Sequence, residues 1–420
     1  MRLQIVAFLL RVSVASSPAL AVMAATVTVR ADEPCTYDVE IFTAPTCGEP
    51  IGIPPTFPAA INAHGDVAGH YWQCAIPSRL EAFVRTADGA FFTIPRPPGV
   101  ISMEAIDLND SGQVTGTMEL PTVSLAFRWT NGTFETLPQI SDCPLTVAVA
   151  INADGVVAAN RRLAGCNAWL ACTWNGTSIV DIPSAHGPSS VATDIDDAGT
   201  VVGWMGQQYY VDGRAFILGE GSLNILKPPE GYVATAAYSV VHTANGPLVA
   251  GAAFRTNLRG PGFLASVFVW HDGKLELLPD PPGFNRCLPW DIIEGPTVIG
   301  ICEGVSPLPP ALGGRVWSEG EIFDPYARLP DRDFLPAYGL PSFAANGSLA
   351  TTVATPQLTT VAAIVRSPTG ADFNLDCDVD AGDMASLIAA WLRGDSSLDL
   401  DGDQSISGAD LALLLGSWSG

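Results

Sequence analysis

Positive charge is scarce in this chain. Lys and Arg together number 20 against 43 Asp and Glu, a formal net charge of −23. Phosphate backbones and anionic membranes are bound by clustered cations. The balance therefore argues against nucleic-acid and anionic-membrane partners, and is compatible with divalent cations. Histidine is also sparse. His64, His70, His186, His242 and His271 form no His-x-His or His-Glu-x-x-His spacing, so a transition-metal site has no signature here. No Gly-x-Ser-x-Gly elbow and no phosphate loop occur. Long stretches of helix formers are scarce before residue 380, and beyond the N-terminus no segment looks transmembrane.

What is present is apolar and turn-rich. Of 420 residues, 48% are apolar, 41 are Gly and 34 are Pro. That length suits one large domain plus something small, and the composition predicts many short strands joined by tight turns. The N-terminus has an early Arg2, an apolar stretch and small residues near Ala25 and Ala31. It reads as a secretory signal over residues 1–31. Arg11 interrupts the run, and an uncleaved anchor over 12–29 is the alternative.

One phrase recurs along the middle of the chain. AINAHGDVAG starts at Ala60, DLNDSGQVTG at Asp107, AINADGVVAA at Ala150 and DIDDAGTVVG at Asp194, with looser copies at His242, Ile292 and Phe343. Their turn glycines (Gly65, Gly112, Gly155, Gly199, Gly246, Gly295, Gly347) lie 43 to 52 residues apart, the period of propellers or solenoids. Each copy runs strand, Asn/Asp-x-x-Gly turn, Val-rich strand, a third strand such as AFRW (Ala126–Trp129), and a fourth ending in Pro. Four short antiparallel strands are the content of a propeller blade. Seven sets of the first three strands are followed by only six fourth strands, and TYDVEIFTAP (36–45) has the missing fourth-strand pattern. Pairing it with VAAIV (361–365) would close the ring and remove exposed edges. The fold class is thus mostly β, a seven-bladed β-propeller over 35–367, with six or eight blades left open.

The phrase resembles the extracellular HAF-type repeat family, in which Ile-Asn-x-x-Gly-x-Val-Val-Gly is followed by His-Ala-Phe and Trp. The resemblance covers about residues 36–367, with Glu81, Leu125, Leu170 and Arg214 at the family's His position. It implies a fold and an extracellular location rather than an activity. Within the repeat frame, Cys47/Cys74, Cys143/Cys166 and Cys287/Cys302 flank equivalent strands and suggest three disulfides. Cys172 takes the place of Phe83, Phe127 and Phe216 and is expected as a buried thiol. Cys35 with Cys377 would staple the ring shut; Cys166 with Cys172 is an alternative pairing.

After a linker at 368–370, residues 371–420 change character. DLDGDQSISGAD places Asp399, Asp401 and Asp403 at loop positions one, three and five, Ser405 at seven through its carbonyl, and Asp410 at twelve. DFNLDCDVDAGD repeats the pattern with Asp372, Asn374, Asp376, Asp378 through its carbonyl, and Asp383, starting 27 residues earlier. This alternation wraps oxygen ligands around Ca²⁺, and two ions are expected. Helices follow each loop, over Met384–Leu392 and Leu411–Trp418. The duplicated loop-helix unit resembles a type I dockerin-like domain, which implies a cohesin-like or other cell-surface protein as partner. Asp at position twelve fits that family. Ala381-Gly382 and Gly408-Ala409 at positions ten and eleven differ from its Ser-Thr type and leave the partner open.

The propeller shows no catalytic constellation. Asp107, Asp194, Asp196, Glu104 and Asp291 are the carboxylates that a glycosidase would draw on, and they are read as turn and surface groups. Trp129, Trp174, Trp270 and Trp317 recur at one strand position and are read as packing between blades. Trp72, Trp169, Trp204 and Trp290 fall outside the frame and would be the places for a glycan to stack. The reading favoured is an exported, non-catalytic interaction protein, secreted or at the cell surface and not membrane-spanning after signal cleavage. Its propeller would present a binding face and its tail a calcium-dependent dock. Competing readings are a polysaccharide-acting hydrolase or lyase delivered by its dockerin, and a purely structural surface protein.

Overall fold

The computed structural model describes residues 36–45, 54–73, 79–138, 143, 145–163, 165, 167–256, 263–295, 297–304, 312–318, 320–329, 335–336, 341–344, 346–354, 360–403 and 405–419. The expected signal, and Cys35, Cys47, Cys74 and Cys166, lie outside them. Residues 34–420 form one compact unit. No helix among the described residues is long and apolar enough to cross a membrane.

The chain is mostly β, and its strands follow one another as antiparallel meanders, the arrangement of a β-propeller. The first strands of successive meanders are Thr56–Ile61, Ser102–Leu108, Thr146–Ile151, Ser189–Ile195, Ala234–Thr243 and Phe284–Ile293. Four meanders are separate four-stranded sheets, while the fifth and sixth are joined by a single parallel pairing, Ala265 with Arg286. In the last sheet, Asp38–Phe42 from the N-terminal side pairs antiparallel with Thr360–Arg366. The strand that the repeat lacked is supplied from the front of the chain.

Apolar clusters lie between neighbouring sheets. Ala82 and Ile94 of the first meander pack with Met103, Val114 and Phe127 of the second. Ala126 and Leu137 of the second then meet Val157, Cys172 and Trp174 of the third. The series returns to its start, because Ile61, Val67 and Phe83 pack against Ala350 and Ile364 of the last sheet. The recurring tryptophans belong to this packing. Trp129, Trp174, Trp270 and Trp317 stand in register opposite Val114, Val157, Val249 and Val298; the last three are buried and Trp129 is half-buried.

A further regularity explains the glycine of the Val-rich strand. Gly116 faces Phe127 and Gly203 faces Phe216 across the second and third strands. A Cβ on Gly203 would sit 2.0 Å from the Val191 carbonyl oxygen and 2.8 Å from the Phe216 ring. Only a residue without a side chain lets the strand pass under that ring. In the third meander the same register holds Ala159 opposite Cys172. Cys172 is a free, buried thiol, as expected, which removes its pairing with Cys166. Cys287 and Cys302 form a disulfide. Cys143 and Cys377 are also disulfide-bonded.

The tail has two helices, α1 (Ala381–Arg393) and α2 (Gly408–Gly416). Both begin three residues before the sequence-based expectation, and α2 ends two residues sooner. The reason is the N-cap. Asp380 and Ser407 each cap a helix, and Asp383 and Asp410, three residues on, reach back to the cap amide as a capping box. Phe373, Val379, Leu387, Ala390, Ile406 and Leu414 form the module's own small core.

Candidate functional site

The Asn-x-x-Gly turns all lie on one face of the propeller, where they form a ladder. Asn62 donates to the carbonyl of Asn109, Asn109 to that of Asn152, and Asn152 to that of Asp196, at 2.9–3.3 Å. Each of these asparagines also accepts an amide of its own turn through Oδ1. Asn346 donates to Ala63, tying the last turn to the first. The repeated Asn is thus a clamp between neighbouring turns.

Just below the ladder sits a set of carboxylates that the sequence reading placed at the surface. Asp107, Asp194 and Asp291 are half-buried at the channel mouth, where a bulge in each first strand turns them inward. Every carboxylate bridges to the next meander: Asp107 accepts the Ile151 amide at 2.7 Å, Asp194 the Val240 amide at 2.8 Å, and Asp291 the Phe343 amide at 2.8 Å. Their other oxygens accept the amides of Leu108, Ile195 and Ile292. Glu104, also a candidate, is exposed.

Burial pushes all three acids up, Asp107 to about 7, Asp291 to about 6, and Asp194 well above the carboxylate range, with mutual repulsion adding to the effect on Asp107 and Asp194. Geometry agrees. The Ser239 hydroxyl lies 2.9 Å from Asp194 and 3.1 Å from Asp291. One hydroxyl proton serves one carboxylate, so the second contact is made well only when a carboxyl carries a proton. A raised folded-state value makes stability greatest at acid pH and removes it as pH climbs through about 6 to 7. With calcium held constant, the free energy of unfolding measured by chemical denaturation should fall between pH 5 and pH 8, with a slope of up to about 1.4 kcal/mol per pH unit for each titrating group. Asp107→Asn should flatten that profile; an unchanged profile would refute the account.

The tail's first loop is largely buried. Asp372 accepts the amides of Asp376 (3.2 Å) and Cys377 (2.9 Å), and Asn374 donates to Asp376 at 2.9 Å. Leu375 and Cys377 take the left-handed conformation that winds the loop, at φ 58° and 79°; Cys377 fills the position where an EF-hand has Gly. Asp378 is exposed and accepts the Ser419 hydroxyl at 3.3 Å. Burial, with the charges of neighbouring aspartates, raises Asp372 to about 6 and Asp383 to about 7. In the second loop Gly402 takes the left-handed turn, and Asp399, Asp401 and Asp403 converge, each offering an oxygen within 4.8 Å of the others. Ser405 donates its hydroxyl to Asp403 at 2.8 Å. Asp383 and Asp410 lie at the loop ends with their oxygens on amides: Phe373 and Asp380 for the first, Leu400, Asp401 and Ser407 for the second. Their capping role escaped the sequence reading, although the Asp-x-x-Asp and Ser-x-x-Asp spacing carries it.

Calcium suits this donor set. Every candidate ligand is a hard oxygen donor, and oxygens on opposite sides of an ion with bonds of 2.3–2.6 Å lie about 5 Å apart. The convergence of the second loop meets that limit. The buried acids of the first loop would lose their mutual repulsion next to a cation.

The module is seated on the turn face. Leu375 packs into the propeller core with Tyr37, whose hydroxyl donates to the Leu375 carbonyl. Arg393 pairs with Glu294 at 2.5 Å. Between module and channel lies a cleft of about 680 Å³, open to solvent.

No family model matches the chain, and no curated protein matches it. Solved structures do. The β-propeller domain of the Trilobed protease from Pyrococcus furiosus, with an open velcro topology, is similar at TM-score 0.50 and 9% identity over 74% of this chain and 95% of that one. A puromycin-hydrolysing peptidase from Mycobacterium tuberculosis is similar at TM-score 0.51 and 13% identity over 75% of this chain, which spans 51% of that one. Likeness at such identity concerns fold alone, and the fold is a β-propeller.

Proposed function

We propose that this is an exported, non-catalytic interaction protein: a closed ring of seven blades with extracellular HAF-type repeats, carrying a calcium-loaded, dockerin-like tail that docks it to a secreted or cell-surface assembly. Pairing of the N-terminal strand with Thr360–Arg366 supports closure. The observation that carries the tail's role is the convergence of Asp399, Asp401 and Asp403 on a loop that opens a capped helix; of the first loop the capped helix alone repeats this arrangement. Asp399, Asp401, Asp403 and the Ser405 carbonyl would hold one ion with Asp410 closing the loop; Asp372, Asn374, Asp376 and the Asp378 carbonyl, closed by Asp383, would hold the other. Calcium supplies charge neutralisation there, and the chain's own residues shape the loop.

An apolar outer face supports docking: Trp391, Leu392 and Leu415 are exposed, Leu392 at 80%. The test is capture from the exported proteins of the source organism by the full chain, with calcium or with chelator. A partner retained in calcium and released by chelator is expected. A set of bound proteins indifferent to both calcium and Asp401→Asn would reject docking. The enzyme reading has one observation in its favour, three acids lifted towards neutrality beside a cleft. Against it, their oxygens are engaged by backbone amides. Polysaccharide cleavage that Asp194→Asn abolishes without unfolding would restore it.

A further inference from the structure

The two tail loops are held in different ways. In each, ligands are expected at positions one, three and five, so the residues between them are left to anchor the turn. In the first loop those residues are Phe373, Leu375 and Cys377, and all three are tied to the propeller. Phe373 lies against the turn of the last repeat, where a Cβ on Gly347 would stand 2.6 Å from its carbonyl oxygen. Leu375 is fully buried in a core that also holds Tyr37 and Val365, and its carbonyl accepts the Tyr37 hydroxyl. Cys377 packs on the same core and is disulfide-bonded. Every other cysteine lies at or before Cys302, so that bond runs from the tail into the propeller. Leu375 and Cys377 also take positive φ, which L side chains resist. The second loop meets the same need with an exposed Gly402, and its Leu400 packs on the module's own core. One loop is self-contained; the other is completed by the ring.

What the first loop grips is the strand that closes that ring. Tyr37 is 1% exposed and immediately precedes Asp38–Phe42. This strand has five residues and stands at the outer edge of the last sheet, paired with Thr360–Arg366. A short edge strand near a chain end is the kind of element that frays first. Its middle is tied by Glu40 to Arg85 and Arg366, and its start by Tyr37. Within the loop, Asp372, Asp376 and Asp383 repel one another. A cation there would relieve the repulsion and favour the wound form, in which the Leu375 carbonyl meets Tyr37.

Given the calcium reading of the tail, on which this rests, we propose that the first loop is a calcium clasp on ring closure. An ion there steadies the N-terminal strand through Leu375 and Tyr37, and the closed ring favours the ion in return. The second loop serves the tail alone.

Amide exchange over residues 38–42 tests it, in the full chain with disulfides intact. At free calcium about ten times the first loop's dissociation constant, exchange should slow by up to about tenfold relative to calcium-stripped protein. Asp376→Asn should abolish that response and Asp401→Asn should leave it. Tyr37→Phe, which keeps every ligand, should still take up two ions by calorimetry yet lose most of the response. Ile179–Ile182, a fourth strand elsewhere in the ring, should not respond. Two ions bound with unchanged exchange at 38–42 would overturn the clasp alone. So would a response that survives Asp376→Asn, or one shared equally by Ile179–Ile182. No calcium uptake at all would overturn the calcium reading and the clasp together.

Discussion

Cys172→Phe should lower the stability of the protein by about 1–3 kcal/mol, the usual cost of forcing volume into a packed core, and adding Ala159→Gly should return most of that loss. The argument rests on one register. Where a Phe stands on the third strand, at 127 or 216, the Val-rich strand beneath it has Gly, at 116 or 203. The third meander has Cys172 over Ala159, with both side chains fully buried. A small residue has replaced the ring, and a methyl group has replaced the hydrogen below it. Restoring the ring alone drives it into the Ala159 methyl, as a Cβ on Gly203 would stand 2.8 Å from Phe216. Restoring both rebuilds the arrangement of the neighbouring sheets. Ala159→Gly by itself should cost about 1 kcal/mol, from a lost methyl and a freer chain. Chemical denaturation of the four proteins, disulfides intact, gives the coupling. A favourable interaction of about 1–2 kcal/mol between the two changes is expected; simple additivity would show that the register is coincidental.

That pairing marks how far the sequence was legible. The period of the turn glycines and the four-strand grammar led to meanders and to the N-terminal strand that joins the last sheet. Cys172 was readable as a Phe substitute because the repeat gave it a frame. Its compensating Ala159 was not singled out, since register across strands appears only when the strands are paired. That Asp107, Asp194 and Asp291 share one channel mouth was not legible for a similar reason. In sequence they precede turns, and Asp before a turn is ordinarily a solvated acceptor. The bulge that turns them into the channel changes which way a residue points without changing its type. The tail was legible because its loops are local: ligand spacing, caps and helix starts all lie within twelve residues. Its seating over the channel was not, because Leu375 meeting Tyr37 is a contact across 338 residues.

The two tail aspartate classes should separate in the laboratory, and that separation is the largest effect expected of the module. Asp401→Asn removes one of three converging charges from an exposed loop. Calcium affinity at that loop should drop by about tenfold or more, as ligand charge is what tunes such sites, while α2 stays folded. Asp410→Ala removes a fully buried carboxylate that accepts three amides, those of Leu400, Asp401 and Ser407. Leaving those donors unmet and breaking the capping box should cost about 3 kcal/mol. A nine-residue helix has little stability of its own, so α2 should melt even in saturating calcium. Calorimetric titration of calcium-stripped protein reads the first effect, and amide exchange over 408–416 reads the second. If Asp401→Asn leaves affinity untouched, the loop is not a calcium site. If Asp410→Ala leaves α2 protected, the helix is held by its packing on Leu387 and Ala390 rather than by its cap. The outcome expected here, affinity lost with the helix kept in one variant and the helix lost even in saturating calcium in the other, would mean that Asp401 serves the ion alone while Asp410, which closes the loop, also starts the helix.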